Sequence, residues 1–155
     1  MNSNNFNETY LSNSVGCDTI VITKQGPLKI SEIKVGDLVK THLNTFEKVT
    51  HFFKNKPDDT QFYSLETTSV SATNLVWSKK SASEEPCWST LRELWFGNHL
   101  VTGKTLKNTY DFVDANIYLN EDFNEYVYNI GVENSHSYCT QFIVLRDCFF
   151  PEFNY

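Results

Sequence analysis

Two stretches of this chain read as copies of one another. Ile30-Ser-Glu-Ile-Lys-Val-Gly-Asp-Leu-Val-Lys-Thr41 aligns with Leu91-Arg-Glu-Leu-Trp-Phe-Gly-Asn-His-Leu-Val-Thr102, with 61 residues from Gly36 to Gly97. Downstream, Phe62-Tyr-Ser-Leu65 echoes Val127-Tyr-Asn-Ile130, with 65 residues from Tyr63 to Tyr128. A spacing kept to within a small insertion is the mark of one unit used twice, so two similar halves sharing one core are expected. In each copy a Gly followed by Asp or Asn precedes an apolar run, as where a chain bends sharply into a strand.

The units repeated are β-type. Short β-type runs recur between turn signals at 19–24, 38–42, 48–54, 60–67, 109–113, 125–132 and 137–145. One short helix is expected at 89–94, where Ser or Thr precedes Leu91 and Leu94 with a glutamate in the first turn. Twelve Phe and eight Tyr suit a β-rich core, and 155 residues suffice for one domain. A net charge of -6, with thirteen basic residues scattered among nineteen acidic ones, speaks against a nucleic-acid or anionic-membrane surface. No apolar run reaches the ~20 residues of a membrane span, and the start lacks the pattern of an export signal. Four widely spaced cysteines form no CxxC pair, so neither metal site nor disulfide framework is expected, and an intracellular, reducing setting is the default.

Gly16-Cys17-Asp18-Thr19, followed by a Gly-Pro turn and Gly36-Asp37-Leu38-Val39, resembles the opening block of a hedgehog/intein (Hint) domain. The stretch from Val127-Tyr-Asn129 through His136 to Arg146-Asp147-Cys148 is similar, without a gap, to the closing block of an intein. The resemblance covers Cys17 to Cys148 and implies an all-β Hint fold, a pseudo-twofold horseshoe of two similar halves. The domain plan is then a polar leader at 1–16, a Hint-like body at 17–148 and an aromatic tail at 149–155.

In that family a first cysteine attacks the preceding carbonyl, a Thr-x-x-His segment protonates the leaving nitrogen, and a terminal asparagine cyclises with help from the histidine before it. The resemblance therefore assigns site roles to Cys17, Ser71, Asn74, His136, Asp147 and Cys148. Several are chemically altered. Asn74 stands where the first histidine is expected, and an amide cannot act as a general acid and base near neutral pH. Asp147 replaces the cyclising asparagine, Arg146 the histidine beside it, and Asn129 an aspartate that couples the two ends. A guanidinium with a pKa of roughly 12 or above delivers no proton. Flanks of 16 and 7 residues also leave little to splice. The expectation is a Hint-fold protein that no longer splices and acts as a structural or interaction component. The alternative is self-processing through a thioester at Cys17. No cofactor and no metal are expected. Protein partners are expected through Phe149, Phe150, Phe153 and Tyr155, and the resemblance brings Cys17 and Cys148 within disulfide reach under oxidation.

Overall fold

The computed structural model describes residues 14–57, 61–65, 68–97, 99–104, 110–114 and 116–148, and in them the sequence repeat becomes a repeated path. The chain enters through β1 (Val15–Gly16), then forms the hairpin of β2 (Ile20–Thr23) and β3 (Gly26–Lys29). A 3-10 turn at Ile30–Glu32 follows, and β4 (Leu38–Lys40) returns to pair with β2. The long β5 (Phe46–Asn55) leads to β6 (Phe62–Leu65) and β7 (Thr68–Ser71).

The path then recurs. The hairpin of β8 (Leu75–Lys79) and β9 (Cys87–Thr90) leads into helix α1 (Leu91–Gly97), and β10 (Leu100–Lys104) returns to pair with β8. The strands β11 (Tyr110–Asp114), β12 (Tyr118–Asn120) and β13 (Val127–Val132) follow, before a closing hairpin of β14 (Ser137–Cys139) and β15 (Val144–Arg146).

One nine-stranded sheet runs β12-β6-β7-β1-β13-β5-β4-β2-β3, and a second runs β11-β10-β8-β15-β14 with β9 on β8. Around the central β7–β1 pair the first sheet is palindromic in kind. β6 stands to β7 as β13 stands to β1, and β12 continues the series as β5 does on the other side. The two echoes in the sequence are thus related by a local twofold, with β6 and β13 each reaching across to the opposite half.

Local chemistry explains the repeated turn. Glu32 and Glu93 hold the same place in the two copies, and each turns back on the residue before its helical turn. Their Oε1 atoms accept the Lys29 and Thr90 N–H groups at 3.3 and 2.9 Å. In the second copy Thr90 Oγ1 also accepts the Glu93 N–H at 3.2 Å, completing a capping box. Leu91-Arg-Glu-Leu continues as an α-helix, whereas β-branched Ile33 and Val35 favour extension in the first copy. The helix starts later than the expected 89–94 because Ser89 and Thr90 still pair with Val76 and Leu75. Gly36 has φ +98, a left-handed conformation that favours glycine, as expected of the bend before β4. The expected strand at 137–145 divides in two, since Thr140 Oγ1 accepts the N–H groups of Phe142 and Ile143 and forms a turn.

Equivalent apolar residues meet in one core. Val21 and Val76, Ile30 and Leu91, and Val39 and Val101 are each 0–1% exposed, and fully burying such a side chain stabilises by about 1.5–3 kcal/mol. Ser14, Val15 and Gly16 belong to this folded body rather than to a leader, because Val15 is completely buried at the sheet centre. The expected leader up to residue 13 and tail from Phe149 onward lie outside the described residues. Among the described residues no helix is long and apolar enough to cross a membrane.

Candidate functional site

The turn from β7 to β8 carries Ser71 and Asn74, and it closes on itself through the Asn74 N–H to the Ser71 carbonyl at 3.1 Å. Both residues are fully buried. What they hold is Ser14. The Ser14 N–H donates to Ser71 Oγ at 3.2 Å, and the Ser14 carbonyl accepts the Ser71 N–H at 3.0 Å and Asn74 Nδ2 at 3.4 Å. The Asn74 carbonyl accepts the Leu91 N–H at 3.0 Å, so the start of α1 fixes the turn from behind. Asn74 Oδ1 is buried with no hydrogen-bond partner, an arrangement that costs free energy in a folded protein.

Cys17 is placed differently from what the opening block implied. It sits in the turn from β1 to β2, which closes through the Thr19 N–H to the Gly16 carbonyl at 3.2 Å. Gly16 is in the ladder opposite Val127, and Ser71 and Asn74 do not hold the Gly16–Cys17 peptide. The thiol donates instead to Glu125 Oε1 at 3.2 Å. Burial, that hydrogen bond and the charges of Asp18 and Glu125 all raise its pKa, so it stays protonated and is a weak nucleophile. Cys17, Asp18 and Glu125 bring their donor atoms within 4.8 Å of one another. A thiol engaged as a hydrogen donor is not yet a metal ligand.

The remaining expected residues meet at the end of β13, whose six residues are all buried. Asp147 is completely buried, and its Oδ2 accepts the Val132 N–H at 2.7 Å and lies 3.0 Å from His136 Nδ1. His136 occupies the left-handed region at φ +51, and its carbonyl accepts the Asp147 N–H at 2.9 Å. The hydrogen bond to Asp147 raises the His136 pKa against the opposing effect of burial. The Cys148 N–H donates to the Ile130 carbonyl at 2.9 Å. Burial, reinforced by the nearby Asp147 charge, pushes the Cys148 thiol pKa well up. Tyr138, completely buried, feels both Asp147 and Cys148, and its hydroxyl has no hydrogen-bond partner. Arg146 holds its guanidinium carbon 5.0 Å from the ring of Trp88, which packs in turn on Trp77 and His42. Asn129 turns its Oδ1 to the N–H of Ile130 at 3.0 Å.

The two corners adjoin. β1 pairs with β13 as Val15 to Tyr128 and Gly16 to Val127, so the next step of that register sets Ser14 opposite Asn129, beside the Ile130 that binds Cys148. Ser14 and Cys148 are thus both anchored along β13, while Cys17 stands beside Glu125. All four cysteines are free. The residue at the centre that sequence reasoning passed over is Ser14. A thiol is the stronger nucleophile and drew attention three residues too far. The repeated path of the fold makes Gly16–Thr19 the counterpart of Ser71–Asn74 and not its target.

By sequence the chain matches no family profile and no curated protein. By structure it is similar to a variant of the Ssp DnaB mini-intein at TM-score 0.65 and 14% identity, over 88% of this chain and 95% of that one. It is similar to the gp41-1 intein at TM-score 0.61 and 20% identity, over 86% and 98%. It also resembles a DnaB intein from Synechocystis sp. PCC 6803 at TM-score 0.60 and 12% identity, over 86% and 97%. The fold is the all-β Hint fold found in inteins.

Proposed function

We propose that this intein-like Hint chain keeps the fold as a scaffold, no longer splices, and serves as a protein-interaction component of an assembly in a reducing compartment. The observation that carries the reading is the state of Asp147. Cyclisation needs a neutral side-chain amide free to attack its own carbonyl, and here a carboxylate oxygen is held by the Val132 N–H and His136. A carboxylate attacking an amide gives only a labile anhydride. Arg146, stacked on Trp88, is no proton donor for the leaving nitrogen. Partners would dock through Phe149, Phe150, Phe153 and Tyr155, and through exposed aromatic side chains of the body.

A second reading draws on the grip around Ser14. A backbone held on both its N–H and its carbonyl is a frame for an N-to-O acyl shift. In that step Ser14 Oγ attacks the carbonyl of Asn13, the amide nitrogen leaves with a proton, and water then cleaves the ester. Asn74 supplies a hydrogen bond but no titratable acid or base, so the step would be slow.

Intact mass during incubation with hydroxylamine distinguishes these readings. A mass constant at 17.9 kDa is the expected result. Loss of residues 1–13 would replace the scaffold reading with cleavage at Ser14. Loss of 1–16 would restore Cys17 as the nucleophile, and loss of the segment after Asp147 would show the closing corner to be active.

A further inference from the structure

The ladder that seats Val15 and Gly16 against β13 also gathers three metal-binding groups at its end. Gly16 pairs with Val127, so the turn that follows Gly16 meets the residues that precede Val127. Cys17 and Asp18 come up against Glu125 there, and the thiol and the two carboxylates bring their donor atoms within 4.8 Å of one another. Cys17 is half-buried and both carboxylates are exposed, so an ion has a path from solvent. Spacing along the chain hides this set, because Glu125 lies 108 residues from Cys17.

Two observations separate the group from a chance cluster of surface acids. The first is a deficit of positive charge. Among the described residues no basic side chain pairs with Asp18 or Glu125. Two carboxylates held this close repel one another, and a cation between them turns that repulsion into attraction. The second is the thiol itself, which donates to Glu125 Oε1 over 3.2 Å. Its proton already bridges sulfur and carboxylate, and a metal ion in the same place bonds the same two atoms.

The donors select the kind of ion. Calcium and magnesium take oxygen ligands, whereas a thiolate with carboxylates suits zinc. Zn–S bonds of about 2.3 Å and Zn–O bonds of about 2.0 Å, at tetrahedral angles, set ligand atoms roughly 3.3–3.5 Å apart. The Sγ–Oε1 separation of 3.2 Å is close to that, and rotation of the exposed Asp18 side chain supplies the third bond. Three protein donors leave the fourth corner to water. As the sulfur–zinc bond forms, the thiol proton passes to solvent, and the doubly charged ion meets one thiolate and two carboxylates.

We propose that Cys17, Asp18 and Glu125 form a zinc site that fastens the turn after β1 to the chain entering β13. The site goes beyond the scaffold reading and is independent of it, since it uses no group around Ser14 or Asp147.

The test takes the reduced, metal-free full chain and titrates it with zinc by calorimetry, and with cadmium, whose bond to a thiolate absorbs in the ultraviolet. One zinc ion binds per chain with a dissociation constant in the micromolar range, weaker than at closed four-ligand sites. Cadmium gives the thiolate band at the same one-to-one ratio, and zinc displaces it. Cys17→Ser abolishes the band. Asp18→Asn and Glu125→Gln each keep it but weaken binding by about tenfold or more. Cys87→Ser, at the other half-buried thiol, changes neither band nor affinity. Peptide mapping after brief alkylation reads the unaltered chain: zinc protects Cys17 and leaves Cys87 reactive. Absence of zinc binding, a band that survives Cys17→Ser, undiminished affinity in either carboxylate variant, or alkylation of Cys17 unslowed by zinc overturns the proposal. Intact mass on the same samples keeps the two readings apart. A shortened chain refutes the non-splicing reading, and an intact chain that binds no zinc refutes the metal site alone.

Discussion

The turns at Gly16–Thr19 and Ser71–Asn74 are the same piece of backbone used twice. Each follows a strand of the central β1–β7 pair and closes with an N–H to carbonyl bond between its last and first residues. Each ends on a completely buried residue whose carbonyl accepts the N–H of the first residue of the following helical turn, Thr19 to Ile30 and Asn74 to Leu91. Even the defects match, since Thr19 Oγ1 and Asn74 Oδ1 are both buried without a hydrogen-bond partner. The difference lies in what the turns face. Ser71 and Asn74 hold Ser14, and Cys17 reaches out to Glu125. Position in the fold, rather than the presence of a nucleophile, decides which turn grips the backbone at Ser14.

Restoring an acid–base group to one turn and then to the other gives the largest effect. Asn74→His should raise the rate of cleavage before Ser14 by about a hundredfold to ten-thousandfold over the wild-type chain, the usual yield of a well-placed histidine. Thr19→His should leave cleavage unchanged. Intact mass over a time course reads both. Equal effects from the two histidines, or none from either, would erase the functional distinction between the turns.

The shared backbone makes a second claim, that the halves are equivalent in energy. Ile30 and Leu91 are both completely buried at the start of their helical turns. Truncating either to alanine should cost about 2–5 kcal/mol in denaturant-induced unfolding, with similar values for the two. A cost confined to one half would mean that the twofold is geometric only.

Part of this was legible in the sequence. The repeat at Ile30 and Leu91, the glutamates at 32 and 93, and the glycine at 36 are fixed by local chemistry, and they appear as expected. Several short strands were not legible. β1 has two residues and β12 three, too few to show a period, and their pairing depends on neighbours far away in the chain. The site was half legible for a related reason. His136 and Asp147 come from one closing block and meet at 3.0 Å, but the grip on Ser14 joins residues 57 and 60 positions apart. Spacing along the chain cannot reveal contacts that only the β1–β7 pairing creates. The second copy also carries one more residue, His99, between its glycine and the residue that pairs back on its hairpin. An ungapped alignment hides this.

Smaller substitutions should move the two turns in opposite directions. Ser71→Ala takes the acceptor from the buried Ser14 N–H, and stranding such a donor costs about 1–3 kcal/mol. Thr19→Val keeps the shape and removes a buried hydroxyl that bonds nothing, so a gain of about 1 kcal/mol is expected. Thermal unfolding measures both. A loss from Thr19→Val would mean that its hydroxyl is satisfied in solution and that the matching defects are not shared.

The smallest effect separates two histidines, and its sign differs between them. Burial and the Arg146 charge lower the pKa of His42, which binds Ser137, while the bond to Asp147 raises that of His136. A lowered pKa means that the fold prefers the neutral ring. The His42 contribution is complete above the unfolded value of roughly 6.5 and is lost as pH falls from there through its folded value. A raised pKa means the reverse. The His136 contribution is complete below roughly 6.5 and is lost as pH rises through its folded value. With a third of the His136 side chain exposed, solvent screening keeps its share on the order of 1 kcal/mol or less. For this pair, stability should therefore be greatest near pH 6.5. In urea titrations across pH, His42→Asn should flatten the acid side of that maximum, and His136→Gln the alkaline side. If His136→Gln left the alkaline slope unchanged, the contact with Asp147 would be one of proximity without charge, and the closing corner would have no ion pair to protect it.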